Sequence, residues 1–235
     1  MWFATIALPK VGLNIVPFLG LHYIGSDQFI PSQLITYLFM HDPSNFSHVL
    51  FNMFGVYMFG RVLEQIWGPK RFLVFYLVTG IGAALIQEIT WYIELRPFLE
   101  VVNNYSASAA DNAVLSHFIS TIQQGVVYTA GELFYMKEIL LNSMLTIGAS
   151  GSVFGILLGF GMLFPNAPLY LMFIPVPIKA KYLVGGYGLI ELFSGVWGFS
   201  GDNVAHFAHL GGMLFGFFLI RYWKKKGIGN GFFLG

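Results

Sequence analysis

The chain has 235 residues, of which only 10% are Asp, Glu, Lys or Arg while 56% are hydrophobic, and its mean hydropathy is +0.69. An ordinary soluble domain carries about 25% charged residues, so there is too little charge to coat a water-soluble globule and lipid must be the solvent for most of the chain. A net charge of +1 excludes a nucleic-acid binder that works by neutralising phosphates. The absence of cysteine excludes disulfides, zinc–thiolate sites and a thiol nucleophile.

The apolar stretches predict an all-α membrane protein forming a single domain over residues 1–235. Met1–Leu8 is apolar and cut off by Pro9-Lys10, and Val11–Ile24 is broken by glycine and proline, so residues 1–24 read as the remnant of a first transmembrane helix. A lipid-spanning helix needs about 20 mostly apolar residues. Spans of that kind are expected at Phe46–Trp67, Phe72–Ile93, Asn142–Phe164, Tyr182–Gly198 and Asn203–Trp223. All are read as helices, because an open strand edge leaves its backbone unsatisfied in lipid. Residues 97–141 read as an outer-face loop insertion with short surface helices, and residues 224–235 as a cytoplasmic tail.

Lys and Arg concentrate in short cytoplasmic loops. If the spans alternate, Arg61, Lys70, Arg71, Lys179, Lys181, Arg221, Lys224, Lys225 and Lys226 fall on one side and only Lys10, Arg96 and Lys137 on the other. The C-terminus is therefore expected in the cytoplasm, with a bacterial inner membrane as the expected setting. The Phe46 helix then enters from outside.

Polar residues inside a span are costly and point to function. Three clusters meet that criterion. His48 and Asn52 are four apart and share one helix face; Gly148-Ala149-Ser150-Gly151 lies in the Asn142–Phe164 span, and Ala205–Gly216 carries His206 and His209. Counted from the outer ends of the expected helices, Asn52, Ser150 and His209 share one layer roughly 9–12 Å deep, within reach of outside water. Gly151, Gly155 and Gly159 form a stripe with a four-residue repeat, as do Gly212 and Gly216. Small residues at this spacing let helices approach closely, which is expected to bring Ser150 within hydrogen-bond reach of His209. A hydroxyl whose proton an imidazole can accept is an activated nucleophile. His48, Asn52 and the Ser150 N–H would supply donors to an oxyanion, so the pattern points to acyl transfer.

The His-x-x-x-Asn at His48 and Asn52, the Gly-x-Ser-Gly at Gly148–Gly151 and the Ala-His-x-x-Gly-x-x-x-Gly at Ala208–Gly216 resemble, in order and placement, the three motifs of the rhomboid intramembrane serine proteases. The resemblance covers about residues 20–225. It implies a six-helix bundle, here with its first helix truncated, and a Ser-His dyad without an obligatory carboxylate that cleaves single-span membrane proteins near the outer boundary. It implies Ser150 as nucleophile, His209 as general base and His48 and Asn52 as oxyanion donors, with no cofactor and no metal. Transmembrane protein substrates and the lipid bilayer are the expected partners, and nucleic acid is not. The position one turn after the serine, often tyrosine in the family, is Phe154, which can still pack against the His209 ring. The alternative is a non-catalytic rhomboid-like protein that binds transmembrane helices, whose usual signature is loss of the serine or histidine.

The remaining polar residues read as structural. Ser152 faces away from the Ser150 side; His206 competes with His209 for the role of base but lacks a glycine three residues later; Asp202 is expected to cap the last helix. Glu191 has no evident partner and reads as making a lipid-interface or interhelical hydrogen bond, His41 is placed in the outer loop, and His22 and His117 are expected at the surface. A metalloprotease of the His-Glu-x-x-His type is excluded because no histidine is followed by glutamate. An aspartyl protease is excluded because Asp27, Asp42, Asp111 and Asp202 all fall outside the spans.

Overall fold

The computed structural model describes residues 1–103, 130–171, 174–197 and 205–228; His117, Asp111 and Asp202 lie outside these. The first 40 residues form short pieces: α1 (Trp2–Ala7), a 3-10 turn at Leu8–Val11, α2 (Val16–Leu19), β1 (Leu21–His22), α3 (Gln33–Thr36) and a 3-10 turn at Tyr37–Phe39. Gln33, fully buried, ties them together. Its Oε1 accepts the His22 and Ile30 N–H groups (both 3.2 Å), and its Nε2 donates to the carbonyls of Gln28 (3.0 Å) and Phe18 (3.3 Å). His22 is therefore an interior residue, 2% exposed, with Nε2 2.9 Å from the Pro17 carbonyl oxygen; the expectation of a surface histidine was wrong because β1 threads under this network.

The long helices follow. α4 (Phe46–Gly55) starts at Asn45, whose Oδ1 accepts the His48 N–H at 3.2 Å and satisfies a donor that the first turn leaves free. It runs through a π-helical turn at Val56–Gly60 into α5 (Arg61–Trp67), which stops at Gly68 with φ +80. Together these reproduce the expected Phe46–Trp67 span. α6 covers Pro69–Asn103, ten residues past the expected end at Ile93. Pro97 removes one backbone donor there, but Leu95, Phe98 and Val102 are buried, and α7 (Ala130–Ser143) packs on this part of the fold. Tertiary packing outweighs the proline, so part of the expected outer loop is helix.

The expected Asn142–Phe164 span is not one helix. α7 ends at Ser143, β2 (Leu145–Thr146) pairs antiparallel with β1, and α8 begins only at Ser150 and ends at Leu163. Gly148 interrupts the helix with φ +128, a conformation that favours glycine, and its N–H donates to the Tyr37 carbonyl at 3.0 Å. A 14-residue helix is short for a membrane, and non-helical backbone is tolerated at membrane depth only where protein buries it or a cavity faces it. α8 meets that condition, being packed against α4, α5, α6, α9 (Ala180–Trp197) and α10 (His206–Lys225). A β-hairpin, β3 (Pro168–Leu171) with β4 (Ile174–Lys179), joins α8 to α9.

Residue pairings fix the helix directions. His48 lies by Gly148, Gly55 by Val153, and Phe59 stacks edge-on with Phe160 at 5.0 Å, so the α4–α5 helix runs parallel to α8. Gly151, Gly155 and Gly159 of α8 face Gly212, Gly216 and Ile220 of α10, so these two are also parallel. At the far end Leu63, Trp67, Phe75, Leu163, Ile220 and Trp223 form an apolar cluster. The basic residues Arg61, Lys70, Arg71, Lys181 and Lys224 emerge around it, which agrees with the grouping inferred from charge. The polarity of the bundle is inverted relative to a soluble protein: Asn52, Thr79, Gln87, Ser152, Glu191 and His209 are buried, while Phe51, Phe54, Leu73, Ile89, Ile190, Phe193 and Phe218 are exposed. That arrangement suits a lipid solvent.

Candidate active site

The end of the bundle opposite the basic cluster gathers the polar residues. Ser150 is the first residue of α8 and is half-buried. His209 is on the first turn of α10, 7% exposed, and its Nε2 lies 2.8 Å from Ser150 Oγ. The glycine faces make this possible: a Cβ on Gly212 would overlap the Gly151 carbonyl, so the α8 and α10 backbones touch one turn beyond the Ser150–His209 pair. Phe154, one turn after Ser150, stacks on the His209 imidazole with centroids 4.3 Å apart and planes 8° from parallel, the packing that the family resemblance implied. Ser152 donates instead to the Tyr76 carbonyl at 2.8 Å and is structural.

His48 sits across Gly148 from this pair. A Cβ at Gly148 would stand 2.8 Å from His48 Nε2 and 3.8 Å from Ser150 Oγ, so the imidazole and the hydroxyl flank the same glycine. Asn52 is 5% exposed and lies one turn above Gly55, where α4 meets Val153 of α8. His48, Ser150 and His209 thus come together at one end of the bundle, with Asn52 buried one turn further along α4. Ser150 opens its helix instead of lying about eight residues inside it, so the expected depth does not hold for it. The consequence is chemical, because the first N–H groups of a helix have no intrahelical partner and carry the positive end of its dipole.

Two further groups have surroundings that the sequence leaves open, the partners of Glu191 and the burial of His41. Glu191, 8% exposed on α9, has partners: its Oε2 lies 2.9 Å from His209 Nδ1 and 2.7 Å from His206 Nδ1. Its lone position in an apolar span was the available signal, but the partners come from a helix 15 and 18 residues on, which spacing does not reveal. His41 does lie in the loop before α4, yet it is 4% exposed, its ring meeting the His48 ring edge-on at 5.3 Å. Burial, reinforced by the neighbouring His48, lowers the His41 pKa to about 4. Among the described residues, Glu191, His206 and His209 form the set whose ligand atoms converge enough, within 4.8 Å, to hold a metal ion. Those same atoms are engaged in the hydrogen bonds just given, so an ion there would displace the contacts that orient His209.

A helical bundle whose polar residues are buried and whose large apolar residues are exposed is that of a membrane-embedded protein, and here a serine–histidine contact lies near one end. The Rhomboid domain family matches residues 29–93 and 105–226, most of the chain, and the chain belongs to that family. It is similar to Rhomboid protein 1, mitochondrial, of Saccharomyces cerevisiae, 28% identical over 215 residues that cover 81% of this chain and 58% of that protein. It is also similar to RHOMBOID-like protein 12, mitochondrial, of Arabidopsis thaliana (28% over 182 residues, 76% of this chain and 42% of that protein) and Rhomboid-like protein 11, chloroplastic, of the same plant (26% over 131 residues, 52% and 42%). The chain spans 42% to 58% of the length of these relatives. Family membership makes it an integral membrane protein and supports a function of the intramembrane-protease type.

Proposed function

We propose that this chain is a serine endopeptidase that hydrolyses a peptide bond of a membrane-anchored, single-span protein near the outer membrane boundary. The observation that carries the reading is the 2.8 Å contact between Ser150 Oγ and His209 Nε2. In the first step the Ser150 proton passes to His209 Nε2 as Oγ bonds to the scissile carbonyl carbon and the carbonyl π pair moves onto its oxygen. The donors for that oxyanion are His48, Asn52 and the free N–H groups at the start of α8, aligned with the helix dipole. As the tetrahedral species collapses, the C–N bond breaks and His209 returns the proton to the departing amine. Water entering from the nearby outer end then repeats the sequence on the acyl-enzyme, with His209 taking its proton and Ser150 leaving.

The orientation proposed is the one given by charge, with the basic end and the C-terminus in the cytoplasm. The relatives named above are organellar, so they do not favour the bacterial inner membrane expected from sequence, and the proposal does not depend on it. The alternative, a helix-binding protein without catalysis, would have no need of a hydroxyl–imidazole contact of this length. Reconstituted protein should cleave a single-span reporter, and Ser150→Ala or His209→Ala should abolish the cleavage. Undiminished cleavage by either variant would reject the mechanism.

A further inference from the structure

Glu191 is a carboxylate inside a transmembrane helix, a position that is costly for an ionised group unless hydrogen bonds satisfy it. It is 8% exposed and its Oε2 has two imidazole nitrogens within hydrogen-bond distance, His206 Nδ1 at 2.7 Å and His209 Nδ1 at 2.9 Å. A neutral imidazole has one N–H and one acceptor nitrogen. If His209 Nε2 is to accept the Ser150 proton, its Nδ1 must carry the hydrogen, and Glu191 is the acceptor in line with it. The two contacts on opposite ring nitrogens of His209 therefore require each other. Phe154 holds one face of the ring at 4.3 Å, leaving the in-plane direction to be set by Ser150 on one side and Glu191 on the other.

We propose that Glu191 is a positioning residue that completes a Ser150–His209–Glu191 triad, with His206 bracing the carboxylate. This rests on the serine-protease reading and departs from the dyad without a carboxylate that the family resemblance implied. Glu191 fixes the Nδ1–H tautomer of His209 and stabilises the imidazolium that forms when Nε2 takes the serine proton. It accepts a hydrogen bond throughout and takes no proton itself. His206 donates to the same oxygen, which holds the carboxylate in place when the charge on His209 changes. In an apolar setting the pairing of imidazolium with carboxylate is worth more than it would be in water.

The test is single-turnover labelling by a fluorophosphonate probe, together with kcat and KM on a single-span reporter, for wild type, Glu191→Gln, Glu191→Asp and Ser150→Ala. Misfolding lowers the amplitude of labelling but leaves the rate constant of the folded fraction unchanged. The expected result is a labelling rate constant and a kcat at least tenfold lower for Glu191→Gln, with KM within about twofold, and a smaller loss for Glu191→Asp, which keeps the charge. An unchanged rate constant in Glu191→Gln, or equal slowing in the Gln and Asp variants, would overturn the positioning role while leaving the serine mechanism intact. A wild type that is neither labelled nor active, like Ser150→Ala, would overturn the serine-protease reading and the triad with it.

Discussion

Gly212 of α10 lies against the carbonyl of Gly151 on α8, so closely that a Cβ on Gly212 would overlap the Gly151 oxygen. The neighbour is backbone, which cannot swing aside as a side chain would. Gly212→Ala should therefore cost about 1–3 kcal/mol, the usual range for overpacking, and should separate Ser150 from His209. Gly186, inside α9 with nothing within 4 Å of an added Cβ, is the control; Gly186→Ala should be neutral or raise stability by up to about 1 kcal/mol through helix propensity. Thermal unfolding in detergent checks both, and equal effects from the two alanines would contradict the close approach.

The stack of Phe154 on His209 gives a second expectation. Aromatic pairs of this kind contribute about 0.5–1.5 kcal/mol beyond their burial, so Phe154→Ala should slow cleavage roughly 2- to 10-fold by loosening the imidazole. Phe154→Tyr, which keeps the ring, should retain most of the rate. The measurement is kcat on the reporter at matched folded protein.

What could be read from sequence divides along a physical line. The helix containing Phe46–Trp67, the glycine contact between α8 and α10 and the clustering of basic residues at one end depend on local spacing and composition, and these were legible. The break before Ser150 was not, because Leu145–Thr146 pairs with Leu21–His22 from far along the chain and Gly148 looks like any helix-packing glycine. The continuation of α6 past Pro97 was hidden for the same reason, being held by Leu95, Phe98 and Val102 in the tertiary core. Of the site, Ser150, His209, His48 and Asn52 were each suggested by motif. The partners of Glu191 and the burial of His41 depend on how separate elements meet, which one sequence does not display.

The buried His41 predicts a pH dependence of stability. Its folded pKa is about 4, lowered first by burial and then by His48, against 6.5 for the free side chain. Between those values the unfolded chain binds a proton that the folded protein refuses, so stability falls as pH drops from 6.5 toward 4 and this contribution levels off below. His41→Gln, which cannot titrate, should flatten the melting temperature against pH across that window. A slope equal to that of wild type would show that His41 is not responsible.

Activity should resist chelation. The proposed bond and proton transfers run through Ser150 and His209 without a metal, while the atoms of Glu191, His206 and His209 that could hold an ion are hydrogen-bonded to one another. Prolonged treatment with EDTA should leave the cleavage rate unchanged, whereas a loss restored by added zinc would require a metal at that cluster.

The most direct test of the central claim is labelling of the purified, reconstituted protein with a fluorophosphonate probe, which reports an activated serine without needing a known substrate. Wild type should form a covalent adduct at Ser150 and lose reporter cleavage in step with labelling, and Ser150→Ala should remain unlabelled. Absence of labelling in folded wild type, or equal labelling of Ser150→Ala, would contradict the account.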